Sequence, residues 1–390
     1  MFSRVDETAP AALSYDRPTR VEPRAPSSEF QTFPAVSTSQ QAMINFIWSP
    51  GNRLPAGTGG SENYTVGQVR ELTRRGMAAQ VITIGLGKDD GRIEFGDIPF
   101  KALASLEDIA ELTGTVIFVN EPHVVETSEM AFIILHNPPP LREKWRAFAT
   151  IGTAERGLIA TSKYAASLWA EYLPISRDAI QVAYPFAEPC FALETRVPNG
   201  EDTMRVLFAG RLSPEKGIYT LLETLHVDTI VENRQLTFTV TTAGSDKPQG
   251  QIIETLVNSH PNIQVVGARK TPKAMAGLMA AHDIVVMPSN SQYWHETFGI
   301  VSVEAQHSGC WVVASDDGGL PETDCGGLIL VKPDDPEALA NGIGQALAMG
   351  PRSQRERSES SLLFTVGQSV DNLLDVLYAP VSGHLAMHGD

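Results

Sequence analysis

The sequence predicts an α/β protein of two doubly wound, Rossmann-like lobes facing a central cleft. Three observations carry that prediction. Short apolar runs alternate with amphipathic stretches, the pattern of strands joined by helical crossovers. The pattern lapses over 188–203, "EPCFALETRVPNGEDT", a polar stretch that reads as a linker, and then restarts. The chain has 390 residues, more than one core usually organises, and 42% of them are hydrophobic, enough for two.

Residues 1–40 are rich in Pro, Ser, Thr and Glu, show no apolar period and read as a disordered tail. The first lobe spans 41–195. It opens with a strand at 42–48 and a Gly/Pro-rich loop at 49–63. A helix follows, with Val66, Val69 and Leu72 on one side and Gly76 as its stop, then a strand at 78–86. That order implies a right-handed parallel crossover. Further strands are expected at 114–120, 131–137, 157–162 and 179–186. The second lobe spans 203–350, with strands at 204–210, 236–244, 263–267, 283–289, 310–315 and 327–333. A last helix within 360–380, "SVDNLLDVLYAP", would return to the first lobe.

The formal net charge of −16 is a poor match for nucleic acid or an anionic membrane. Cys190, Cys310 and Cys325 are far apart, odd in number and form no CxxC pair. They argue against a disulfide framework or a zinc site and fit a reducing cytoplasm. No apolar run approaches the roughly 20 residues of a transmembrane helix. The N-terminus lacks the apolar core of a secretory signal. The expectation is a soluble cytoplasmic protein.

Open α/β sheets bind ligands beyond the carboxyl ends of their strands, so the loops there should carry the chemistry. "AGTGGSEN" (56–63) puts Gly59 and Gly60 between a strand and a helix, where backbone can approach an anion; the plain alternative is a flexible turn. "FAGRLSPEKG" (208–217) holds Gly210, Arg211 and Lys216. A planar fork and a mobile point charge suit the two phosphates of a leaving nucleoside diphosphate, although such charges are also ordinary on a surface.

"SQYWHETFGIVSVEAQHSG" (291–309) leads through Glu296 to a helix starting near Gly299. The missing side chain at Gly299 leaves the helix amides accessible to phosphate oxygens. Glu296 suits sugar hydroxyls, or simply complements the helix dipole. Glu304, about one and a half helical turns further in, suits ribose hydroxyls, or is a structural carboxylate. "IILHNPPPL" (133–141) sets His136 at a strand end before three prolines. "KDD" (88–90) and "SDDGG" (315–319) read as turns, since neither has the D-x-D spacing of a metal-dependent nucleotide-sugar site. G-x-S-x-G, H-E-x-x-H and a P-loop are all lacking.

Together "FAGRLSPEKG", "VVGARKTPKAMAGLMAAHDIVVMPS", "HETFGIVSVEAQHSG" and "SDDGGLPE…GGLILVKPDDPEALANGI" resemble the family 4 glycosyltransferases of the GT-B fold. Glu296 and Glu304 match that family's E-x₇-E signature, and the resemblance runs from about residue 41 to 380. It implies a retaining, metal-independent transfer from a nucleoside-diphosphate sugar, most often a UDP-sugar in the family, with no separate cofactor. Carried over, Arg211 and Lys216 grip the diphosphate and Glu296 holds the donor sugar. Phe298, Gly299 and Ile300 offer backbone amides, with Thr297 beside them. Glu304 binds the ribose, and Gly267 and Ala268 lie by the base. Gly60, next to Gly59, approaches the diphosphate, Gly210 belongs to the donor loop, and His136 sits by the anomeric centre. His136, Arg211, Lys216 and Glu296 are the catalytic set.

The acceptor is expected to be a small soluble molecule. No nucleic acid or integral membrane contact is expected, and peripheral membrane association stays open. The chain departs from the family pattern at Tyr184-Pro185-Phe186, at the Asn137 and prolines after His136, and in the loop Tyr293-Trp294-His295, the first candidate for setting sugar or acceptor choice. The alternatives are a nucleotide-sugar epimerase or sugar phosphorylase of the same fold, or a non-catalytic two-lobed binding protein. The last need not keep Arg211, Lys216 and both glutamates together.

Overall fold

The computed structural model describes residues 42–52, 54, 59–87, 97–140, 144–197, 203–231, 235–292 and 294–379. The expected N-terminal tail, part of the glycine loop (55–58), "KDD" (88–90), part of the linker (198–202) and Tyr293 lie outside the described residues.

The first sheet is built in the order β1 (Ile44–Ile47), α1 (Gly60–Arg74), β2 (Ala79–Ile84), β3 (Phe100–Leu103), β4 (Thr115–Val119), β5 (Ala131–Leu135), α2 (Lys144–Thr153), β6 (Gly157–Ala160), α3 (Lys163–Tyr172) and β7 (Ile180–Val182). Its seven strands are all parallel, in the spatial order β3-β2-β1-β4-β5-β6-β7. β1 and β5 are buried along their whole length, as strands covered by helices on both faces must be. One strand was not expected. β3 lies at the sheet edge with Lys101 exposed and Phe100 and Ala102 half-buried, so it shows no apolar run.

After the linker come β8 (Met204–Phe208), α5 (Ile218–Thr224), α6 (Asp228–Val231), β9 (Leu236–Thr241), α7 (Pro248–Ser259), β10 (Ile263–Val266), α8 (Pro272–Ala280), β11 (Ile284–Met287), α9 (Ile300–His307), β12 (Trp311–Ser315), β13 (Leu328–Val331) and α10 (Pro336–Met349). These strands form a second parallel sheet of six, ordered β10-β9-β8-β11-β12-β13. Each sheet has an apolar core on both faces. In each, the strand order reverses once, between β1 and β4 and between β8 and β11. A crevice opens at such a switch point.

The linker differs from the expectation of an irregular stretch. It contains a helix, here α4 (Pro189–Leu193), with proline in its first turn and Phe191 fully buried among residues of α8 and α9. Its last carbonyls are bound by Arg357 Nη2, at 3.2 Å to Phe191 and 2.8 Å to Ala192. Arg357 belongs to α11 (Gln354–Ser360), so a second helix occupies the polar stretch before the C-terminal one. The returning helix, α12 (Val366–Leu377), begins inside the expected 360–380 span. Val370, Leu373 and Leu377 bury against Val66, Val69 and Leu72 of α1. Gln68 donates to Ser369 Oγ at 2.8 Å, and Ser369 Oγ donates to the Tyr184 carbonyl at 2.6 Å. No helix among the described residues is long and apolar enough to cross a membrane.

Candidate active site

The second lobe's switch point is built by two loops. After β8 the chain turns through Gly210 and Arg211 into a 3-10 turn, Pro214–Lys216, that ends at Gly217. Gly217 has φ +72°, and a Cβ there would lie 1.6 Å from the Pro288 carbonyl oxygen. Only glycine lets this loop pack flat on the end of β11. The packing brings Lys216 Nζ to 2.5 Å from Glu296 Oε1.

Ser289 Oγ donates to the same oxygen at 3.0 Å. Among the described residues nothing bonds Oε2. Burial alone would push the Glu296 carboxyl up, but Lys216, Ser289 and Arg211 outweigh it and hold Glu296 below its ordinary range. The carboxylate is therefore charged and aligned before any ligand arrives. Arg211 lies beside it with its side chain 57% exposed, its guanidinium 3.9 Å from the Glu215 carboxylate.

α9 starts directly behind. Gly299, its N-cap, has φ +96°, and no side chain caps the helix. A Cβ at Gly299 would lie 2.6 Å from Leu320 Cδ2. The helix thus presents bare amides and the positive end of its dipole to the cleft. Glu304 is buried one face further in. Burial, helped by the nearby charge of Glu188, pushes its carboxyl up to about 8. Phe298 points the other way, into an aromatic contact with Tyr184 and Phe364 at 5.7 and 5.5 Å between ring centroids.

The first lobe meets this site from across the cleft. A Cβ at Gly60 would lie 3.4 Å from Ile300 Cγ2, so the start of α1 faces the start of α9. His136 follows β5, its ring edge-on to Tyr64 at 4.8 Å. Burial drives its imidazole down to about 3, so it is neutral, and its Nε2 has no partner among the described residues. Thr297 binds the first lobe with its hydroxyl and its carbonyl. Its hydroxyl donates to the His136 carbonyl at 2.7 Å, and its carbonyl accepts from Ser162 Oγ.

Arg211, Lys216, Glu296, Thr297, Gly299, Ile300, Gly60 and His136 thus gather at the facing switch points, with Gly210 under Lys216 and Glu304 behind. Gly59 is the α1 N-cap, where a Cβ would meet the Glu62 carboxylate. Gly267 and Ala268 follow the edge strand β10 and are exposed, with Ala268 N donating to Thr242 Oγ1 at 3.2 Å. Three participants were not singled out from sequence. Ser289 supports Glu296, and its only signal was its place at a strand end. Asp317, read as part of a turn, pairs with His295 Nδ1 at 2.7 Å. Glu322 bonds across the cleft to backbone far away in sequence.

A model of glycosyl transferases group 1 matches residues 203–349. The chain is 27% identical over 270 residues to the lipopolysaccharide 1,2-N-acetylglucosaminetransferase of Salmonella typhimurium, covering 62% of this chain and 70% of that protein. It is 34% identical over 170 residues to a D-inositol 3-phosphate glycosyltransferase of Streptomyces griseus, covering 40% of this chain but only 34% of that protein. Among solved structures, a glycosyltransferase of Rickettsia africae superimposes with a TM-score of 0.69 at 17% identity, covering 87% of this chain and 99% of that one. The Anabaena protein HepE, solved with UDP and glucose, superimposes with a TM-score of 0.66 at 18% identity, covering 87% and 100%. Over residues 203–349 the chain is thus similar to the group 1 glycosyl transferases, and its two facing sheets have the fold of these solved glycosyltransferases.

Proposed function

We propose that the protein moves a sugar from a nucleoside-diphosphate sugar to a hydroxyl of a small, water-soluble acceptor, with retention at the anomeric carbon. The observation that carries this reading is the Lys216–Glu296 pair set beside the uncapped start of α9, opposite His136. Charge grows on the departing diphosphate in such a transfer. Lys216, Arg211 and the α9 amides would meet that charge in fixed positions, which is electrostatic preorganisation. No metal is needed in this scheme, since two cations and a helix end stand where one would act. Glu296 Oε2 would take the donor sugar's hydroxyls, and Glu304 the ribose.

In the reaction the C1–phosphate oxygen bond breaks and the acceptor oxygen bonds C1 on the same face. The acceptor's proton passes to the leaving phosphate oxygen. Neutral His136 cannot donate charge; it would line the sugar side of the cleft and exclude water. UDP is the proposed nucleotide, supported by HepE binding UDP and glucose in the same fold. The three free cysteines support a cytoplasmic setting.

Incubation with a panel of nucleotide sugars should release nucleoside diphosphate from one of them. Lys216→Ala and Glu296→Gln should each lower that turnover by about 100-fold or more while the unfolding transition stays cooperative. Near-wild-type turnover in either variant would sink the site assignment. An inverted product anomer by NMR would refute retention.

A further inference from the structure

The cleft is bridged by a helix end from one lobe and a carboxylate from the other. α3 begins after Ser162, whose Oγ accepts from Ala165 N at 2.9 Å. The two amides before that one are taken by Glu322, in the 3-10 turn Leu320–Thr323 of the second lobe. Glu322 Oε2 accepts from Lys163 N at 2.8 Å and Oε1 from Tyr164 N at 2.7 Å. Tyr184, beyond β7, donates its hydroxyl to Oε2 at 2.8 Å. A carboxylate so placed satisfies orphan amides and lies at the positive end of the helix dipole. All three donors belong to the first lobe.

The same turn presses on the candidate donor site. Gly319 N donates to the Glu296 carbonyl at 2.7 Å. A Cβ on Gly318 would lie 2.5 Å from that carbonyl oxygen, and one on Gly319 would lie 2.3 Å from the carbonyl oxygen of Thr297. Leu320 is the residue that a side chain at Gly299 would strike. Backbone packed this closely does not slide freely, so Glu322 cannot move far without moving Glu296–Gly299.

We propose that Glu322 is a positioning residue for the transfer. It latches α3 onto the 316–323 turn, and closing the latch sets the Glu296–Gly299 backbone against the donor. When the cleft opens, the carboxylate, both amides and the tyrosine hydroxyl return to water. The latch therefore distinguishes two states by a defined set of bonds. Its kinetic consequence rests on the proposed transfer; its conformational consequence does not.

The test uses the full chain and three variants, Glu322→Ala, Glu322→Gln and Tyr184→Phe. Hydrogen exchange at the Lys163 and Tyr164 amides should quicken by about tenfold or more in Glu322→Ala and less in Glu322→Gln, which keeps one acceptor oxygen. The β4 amides should be unchanged, which shows the fold intact. Unaltered exchange at Lys163 and Tyr164 would overturn the latch. If Glu322→Ala does not fold, Tyr184→Phe, which removes one bond, should still give a measurable rise, and no rise there overturns the latch as well.

For the reaction, kcat should fall by about tenfold in Glu322→Ala with donor Kd within about twofold, because Arg211, Lys216 and Glu296 remain, and Glu322→Gln should recover part of it. Faster exchange with unchanged kcat would overturn the positioning role. A wild-type protein that turns over no nucleotide sugar would count against the transfer itself, while the exchange data would still decide the latch.

Discussion

Glu296 and Glu304, eight residues apart, rest in opposite charge states at neutral pH. Lys216 keeps Glu296 ionised, whereas burial, with Glu188 nearby, keeps Glu304 protonated up to about 8. The folded chain thus holds a proton at Glu304 that the unfolded chain loses near 4.5. Stability from this group is fully present below pH 4.5, declines above it, and is gone once pH passes about 8. Glu304→Gln should therefore raise the urea midpoint at pH 8.5 and leave it unchanged near pH 4. If ribose hydroxyls take up this carboxyl, they favour its charged form. Donor binding at pH 7 should then release close to one proton, read by calorimetry in buffers of different ionisation enthalpy, and the glutamine variant should release none. The two glutamates, with Arg211 and Lys216, were readable in the sequence because they fall in short motifs after strands. Ser289 and Glu322 were not, because what defines them is a partner. Glu322 meets amides 158 and 159 positions away.

The loops and helices show where pattern reading stops. Central strands announce themselves because both faces are buried and nearly every residue is apolar, with Asn45 of β1 the exception. β3 and α11 do not. One is a half-exposed edge, and the other, "QRERSES", buries Arg357 and Ser360 through hydrogen bonds to distant carbonyls and leaves no apolar period. α4 is too short to show a period, and its proline reads equally well as a loop. The glycine that ends the β8 loop makes a sharper forecast. At Gly217 an alanine would need a left-handed backbone and would meet the Pro288 carbonyl. Gly217→Ala should cost about 1–3 kcal/mol in chemical denaturation. It should also weaken donor binding, because relieving the clash moves Lys216 off Glu296. Full stability with full donor affinity would show that the loop has slack the packing denies.

The two lobes are coupled by more than the cleft. α12 completes the first lobe's core, covering the face of α1 that carries Val66, Val69 and Leu72. A chain ending at residue 361 should expose that face, and it should elute as aggregate or be cut rapidly within α1 by protease; a monomer of normal resistance would show that α12 is dispensable. The two-lobed plan was readable because the strand pattern visibly stops and restarts. The return of α12 was readable only as an amphipathic helix looking for a partner. The return path has a further consequence. The chain leaves the first lobe at Ala187 and re-enters it at Thr365, and these two residues form a parallel bridge, with Ala187 N donating to the Phe364 carbonyl at 3.1 Å. The second lobe is thus a cassette inserted between two adjacent positions of the first. Cutting at those positions and splicing in the corresponding segment of a relative would join ends that already lie side by side. On the proposed reaction, a chimera made this way should take its donor from the insert and keep the rest of its host's surface.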